Sequence, residues 1–258
     1  MPTPPVHRYA YRVRVADANA LGRLGLVRVI DLMQDAAWQH AAGLGASMAT
    51  LQAEGVAWVL ARLRVEMQRY PQLGETVWVE TWPSGEERSL VYRDFRLWDE
   101  AAQLLGQATT TWLVFDLAAR QFRTLPTNIR KLLPTVAEPP LPRANGRWSQ
   151  PALADDAPAH PVHWWHIDLN QHVNHSHYVR WALTGLPTPL PEEARCRRLE
   201  LILRRECRIG DMLRSAVQPL SADTFSHALY RESDQQLIMQ MRSIWQPQTQ
   251  KNQGIRST

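Results

Sequence analysis

Cysteine is nearly absent: Cys196 and Cys207 are the only two among 258 residues. Two thiols so close together cannot staple a disulfide scaffold, so stability must come from a buried core, and the thiols fit a reducing cytoplasm. Long apolar runs are missing too. No stretch reaches the roughly 18 apolar residues of a membrane span, and the opening Met1-Pro2-Thr3-Pro4-Pro5-Val6 lacks the apolar centre of a signal peptide. A Ser-rich, Arg-rich transit segment is likewise not expected. Charge of neither sign dominates. The net +4 favours acidic partners through long-range steering without separating nucleic acid from an acidic protein.

What remains is a soluble globular composition, 45% hydrophobic and 21% charged. The length suits two domains of roughly 120 residues, each able to bury a core. Seven of the 18 prolines fall between Pro134 and Pro161, a density that excludes regular helix or central strand. The expected division is therefore 1–133, a Pro-rich connector 134–161, and 162–258.

Each half reads as one helix followed by antiparallel strands, an α+β pattern that describes a tandem hotdog. Leu26, Val29, Ile30, Met33, Ala37, His40 and Ala41 keep helical spacing, with Gly43 and Gly45 to stop the helix. Strand-like runs follow over 57–68, 76–82, 89–98 and 104–115. Past the connector, a helix is expected over 174–183, closed by Gly185, then strands over 198–207, 212–219, 226–232 and 237–245. The halves overlay loosely. Leu73-Gly74-Glu75 matches Ile209-Gly210-Asp211, Leu97 through Trp112 matches Tyr230 through Trp245, and Asp17-Ala18-Asn19 echoes Asp168-Leu169-Asn170. On that overlay Leu21 stands where the second half has His172, so one chemical site per chain is expected.

The most informative stretch is Asp168-Leu169-Asn170-Gln171-His172-Val173-Asn174, with Tyr178 and Trp181 beyond it. A carboxylate, an amide and an imidazole at alternate positions ahead of a helix can converge on one bound group. This run resembles the second-domain motif of the acyl-acyl-carrier-protein thioesterases, plant plastid and bacterial. The stretch from Arg62 to Trp82 and the run Arg204-Arg205-Glu206-Cys207 are similar to the same family, so the resemblance spans nearly the whole chain.

The resemblance implies hydrolysis of fatty-acyl thioesters by Asp168, Asn170, His172 and Glu206. It also implies an acyl carrier protein with a phosphopantetheine-linked acyl chain as partner, no cofactor, no nucleic acid or membrane, a cytoplasmic setting, and a monomer or homodimer. Arg180, Arg197, Arg198 and Arg204 are candidates to meet the acidic carrier. His166 and His175 depart from the family pattern, which often has an acidic residue and Asn at those places.

The residues themselves allow this chemistry. An amide and the unpaired N–H groups of a helix start can polarise a carbonyl, and an imidazole moves protons at neutral pH. Local structural uses compete: Asn174 as a helix cap, Asp168 and Asn170 as an Asx turn. Whether Asp168 attacks the carbonyl or orients a water stays open. A thiolate at Cys207 beside His172 is a further alternative. On a regular strand through Cys207, Glu206 and Cys207 point to opposite faces, and the cysteine shares the apolar one, which favours Glu206. Six of the nine histidines lie between His160 and His177, yet Pro161 and the lack of clustered Cys or carboxylates argue against a metal. An acyl-coenzyme A thioesterase, a hydroxyacyl-thioester dehydratase and a non-catalytic acyl-carrier binding module remain as other readings.

Overall fold

The computed structural model describes residues 5–134, 139–146, 148–169, 172–186 and 194–246. The first half opens with β1 (His7–Arg12) and a 3-10 turn at Val15–Asp17, then α1 (Leu26–Gly43) and α2 (Met48–Ala53). Strands β2 (Val56–Met67), β3 (Thr76–Glu87), β4 (Leu90–Trp98), β5 (Leu104–Asp116) and β6 (Gln121–Phe122) follow, then α3 (Thr127–Arg130). The second half repeats the plan with β7 (Ala159–Pro161), a 3-10 turn at Trp164–His166, α4 (His175–Thr184), β8 (Arg195–Leu203), β9 (Met212–Pro219), β10 (Thr224–Arg231) and β11 (Leu237–Gln246).

The helix starts and stops follow local chemistry. α1 buries the face made by Val29, Ile30, Met33, Ala37, His40 and Ala41 that the 3.6-residue spacing marks out. The chain leaves it through Gly45 at φ +86, a left-handed conformation that costs glycine little. The Ser47 side chain accepts the Thr50 N–H to cap α2, and the Asn174 side chain accepts the Ser176 N–H to cap α4.

All strands join one antiparallel sheet in the order β1-β3-β4-β5-β2-β8-β11-β10-β9-β7, with β6 added to β5. Read from both edges inward, the order is the same list twice: β1 with β7, β3 with β9, β4 with β10, β5 with β11, and β2 against β8 at the seam. Two hotdogs therefore lie side by side in one continuous sheet. α1 and α4 pack against it within one apolar core that runs from Val29, Met33 and Phe95 to Val179, Leu201 and Met241.

The repeat register differs from the sequence overlay. In the first half the 3-10 turn ends at Asp17, Ala18 bridges Leu24, and the helix begins at Leu26. In the second the turn ends at His166, Ile167 bridges Val173, and the helix begins at His175. His166 thus corresponds to Asp17, Asp168 to Asn19, and His172 to Arg23 rather than Leu21. The overlay followed the shared Asp-x-Asn letters, whereas the fold conserves the distance from turn to helix.

The proline-rich stretch is pinned down rather than loose. Leu141, Ala144 and Ala157 are buried, Arg143 reaches Asp94 at 3.1 Å, and the Tyr230 hydroxyl donates to the Pro151 carbonyl at 2.9 Å. Gly146 sits at φ +69, a left-handed conformation that favours glycine, and a Cβ there would also press on the Ile202 side chain. The last three residues of the stretch form β7.

Candidate active site

The loop carrying the motif closes on itself. The Asp168 N–H donates to the His172 carbonyl at 2.8 Å, and the His172 N–H donates to Asp168 Oδ1 at 3.4 Å. Asn19 and Arg23 make the same reciprocal pair at 2.7 and 3.1 Å, so closing this turn is a shared structural duty of the position. Asn170 lies outside the described residues.

Glu206 arrives from a different direction. The sequence alone suggests a regular strand to Cys207, but β8 stops at Leu203. The Arg204 and Arg205 N–H groups both donate to the Ile238 carbonyl, at 2.8 and 3.4 Å, and this bifurcated contact turns the chain out of the ladder. Strand alternation therefore does not govern residues 204–207. The outcome nevertheless separates the two candidates. Glu206 Oε1 lies 3.3 Å from His172 Nε2, with the side chains 39% and 29% exposed, open enough for substrate and water. Cys207 is buried, its N–H donates to the Tyr178 hydroxyl at 3.2 Å, and burial pushes its thiol up to about 12. A thiol held in that state is not a nucleophile at neutral pH.

The Asp168, His172 and Glu206 side chains line one cleft with Tyr178 and His175 of the second half and Trp58, Leu60, Trp112 and Phe115 of the first. The site is thus built across the junction of the two hotdogs. Its rim carries Arg120, Arg204, Arg205 and Arg231. An apolar pocket between α1, α2 and the first-half sheet, lined by Ala37, Trp38, Met48, Leu51, Val56 and Val91, shares Gln34, Trp58 and Trp112 with the cleft. The cleft holding His172 and Glu206 and an apolar pocket therefore adjoin.

The mirror position of the first half holds no such pair. Gln68 and Arg69 both donate to the Leu105 carbonyl as Arg204 and Arg205 do to Ile238, which puts Tyr70 in the place of Glu206. The Tyr70 hydroxyl donates to the Cys196 carbonyl at 2.8 Å, and Arg23 replaces the imidazole. A tyrosine and an arginine cannot pass a proton between them near neutral pH.

The histidine cluster divides into separate duties. His166 Nδ1 accepts the His163 N–H at 3.0 Å, repeating the cap that the Asp17 carboxylate gives Arg14, and its ring packs on His177 and Trp181. His160 meets Ser215 at 3.1 Å. His175 is buried, which pushes its pKa down to about 4 and keeps it neutral. Tyr178 and Trp181 belong to the buried core. Sequence reasoning missed Gln34 and His175 as cleft residues; the departure from Asn at 175 was the available signal. Of the four candidate docking arginines, Arg180 faces Asp31 at 3.9 Å, Arg198 Glu66 at 2.7 Å and Arg204 Gln240 at 2.9 Å.

No helix among the described residues is long and apolar enough to cross a membrane. The chloroplastic acyl-[acyl-carrier-protein] hydrolase FATB2 of Cuphea viscosissima is 28% identical over 97% of this chain, which spans 64% of that protein's length. The crystal structure of an acyl-ACP thioesterase from Bacteroides thetaiotaomicron has the same fold, with a TM-score of 0.82, 23% identity and coverage of 94% of this chain and 98% of that one. So does the 12:0-ACP thioesterase from Umbellularia californica, with a TM-score of 0.83, 23% identity and coverage of 95% and 98%. The model of the acyl-ACP thioesterase N-terminal domain matches residues 4–133 and that of the C-terminal domain residues 152–247. With both domains matched in order, the chain belongs to the acyl-ACP thioesterase family.

Proposed function

We propose that the protein hydrolyses fatty-acyl thioesters of acyl carrier protein to free fatty acid and the carrier thiol. The observation that carries this is the His172–Glu206 pair at 3.3 Å, set beside Asp168 in a cleft that adjoins an apolar pocket. The acyl tail enters that pocket, where each buried CH₂ contributes about 0.8 kcal/mol. Glu206 and His172 take a proton from water as it attacks the thioester carbonyl. The Asn170 amide is the donor to the developing oxyanion. As the tetrahedral species collapses the C–S bond breaks, the carbonyl re-forms, and the proton passes to the leaving thiolate. Asp168 acts by holding the loop, as Asn19 does in the half that has no such pair.

The basic rim of the cleft supports an acidic carrier over a neutral thioester. The two cysteines, both free and buried, support a cytoplasmic setting, and the seam between β2 and β8 supplies within one chain the pairing of two hotdogs, so a monomer is sufficient. Thiol release from acyl carrier protein and coenzyme A thioesters across a chain-length panel tests the reading. Turnover on the carrier panel that disappears in His172→Ala supports it. Binding without turnover identifies a carrier-binding module instead.

A further inference from the structure

Two polar side chains in the cleft have no role in the hydrolysis outlined above. His175, the first residue of α4, is only 9% exposed, and Gln34 projects from α1 opposite it. Both line the cleft that holds His172 and Glu206, and both line a narrow void behind it walled by Met33, Leu63 and Phe95. Gln34 also lines the apolar pocket. Gln34 therefore stands where the cleft meets the apolar pocket, with His175 beside it on the cleft side. Neither side chain makes a hydrogen bond to another described residue.

The start of the helix does not itself call for an imidazole, since Leu26 opens α1 at the corresponding place. The charged and titratable groups nearest His175 are Asp31 and His177. Asp31 is engaged by Arg28 at 2.8 Å and Arg180 at 3.9 Å, and the His177 ring packs on His166 and Trp181. Once an acyl chain displaces the water from the cleft, an imidazole without a partner is costly, and a plain methylene chain supplies none. The neutral imidazole offers one N–H donor and one lone pair, and a carboxamide offers both as well. A hydroxyl group, which donates once and accepts, answers the two together.

We propose that Gln34 and His175 recognise a hydroxyl on the acyl chain beside the thioester carbonyl, so that 3-hydroxyacyl thioesters are the favoured substrate class. This rests on the hydrolase reading. With the carbonyl at His172 and Glu206 and the tail in the apolar pocket, the first carbons of the chain lie where the cleft meets that pocket. A hydroxyl on the third carbon then replaces the contacts with water that the two side chains lose when the chain enters.

The test compares kcat/KM for thiol release from decanoyl- and 3-hydroxydecanoyl-acyl carrier protein by the full chain. The 3-hydroxy substrate is expected to lead by about tenfold, the worth of one well-made hydrogen bond. His175→Leu and Gln34→Leu should each shrink that ratio toward one, and His175→Asn, which keeps a donor and an acceptor, should retain part of it. Melting temperatures identify any variant that fails to fold, and the wild-type ratio with the remaining variants then decides. Equal rates, a lead for the plain chain, or a ratio unchanged in His175→Leu combined with Gln34→Leu would overturn the inference while leaving hydrolysis intact. Failure to release thiol from either substrate, or conversion of the 3-hydroxy thioester to an enoyl thioester, would overturn the hydrolase reading itself.

Discussion

Arg64 and Glu200 face each other across the seam of the two halves, 3.3 Å apart, at positions that the internal repeat makes equivalent. In a symmetric pairing of identical halves one residue would oppose its own copy, and a charge there would repel itself. Fusion into one chain lets the two copies diverge to opposite signs. Glu66 extends the network to Arg64 and Arg198. With side chains only 13% and 12% exposed, the pair is little screened. Glu200→Arg places like charges opposite each other and should lower unfolding stability by about 2 kcal/mol, read from denaturant midpoints. Glu200→Gln, which leaves Arg64 with Glu66, should cost less.

His172→Ala and Glu206→Gln should each reduce kcat about 10²–10⁴-fold on acyl-carrier substrate, the range for loss of a general acid or base. Both side chains are partly exposed, so the melting temperature should hardly move. Loss of activity that tracks loss of fold in both variants would show that the pair is structural.

Cys207→Ala should keep most of its activity. The thiol is buried under Tyr178 with its pKa pushed up to about 12, and its removal costs packing of about 1 kcal/mol. A folded Cys207→Ala protein with no turnover would restore the cysteine mechanism.

Acid should destabilise the protein through His227. Its Nδ1 faces the Ala182 carbonyl at 3.0 Å and its Nε2 the Ser243 hydroxyl at 2.8 Å, and burial pushes its pKa from 6.5 down to about 4. In the unfolded chain the ring takes its proton near pH 6.5. Between pH 6.5 and 4 the unfolded state therefore binds more protons, and stability falls as pH falls, by about 3 kcal/mol over the whole window. His175, lowered to about 4 by the same cause, steepens the slope in the same direction. Urea midpoints at pH 7 and pH 5 should show about 2 kcal/mol of this loss in the wild type and a shallower one in His227→Gln.

Arg143→Ala should destabilise by about 3–5 kcal/mol. Asp94 is fully buried and Arg143, which crosses from the proline-rich stretch and stacks on Tyr92, is its ion-pair partner at 3.1 Å. A calorimetric melting temperature unchanged from wild type would mean that the stretch is not pinned to the first half.

Much of the plan was legible in the sequence. α1 and α4 declared themselves through apolar spacing and glycine stops, and the strands through alternation, because both signals are local. The pairing of Leu73-Gly74-Glu75 with Ile209-Gly210-Asp211 also survives, since both precede corresponding strands, β3 and β9. The match of Asp17 to Asp168 does not, because identical letters there serve different turns. β1, α2 and the 3-10 turns escaped notice: each is short, and its order comes from neighbours distant in sequence.

The sequence by itself determined that the chain is two like halves with a polar motif ahead of the second helix, and it marked Glu206 and Cys207 as rival candidates. Periodicity, capping and residue chemistry act over a few positions and can be read there. Only the tertiary structure decided that Glu206 reaches His172, that the cleft is completed by Trp58 and Trp112 of the other half, and that Gln34 joins that cleft to the apolar pocket with His175 beside it. Those relations depend on where β8 ends and on how β2 and β8 join two sheets into one, and such long-range pairings leave no local mark on the chain.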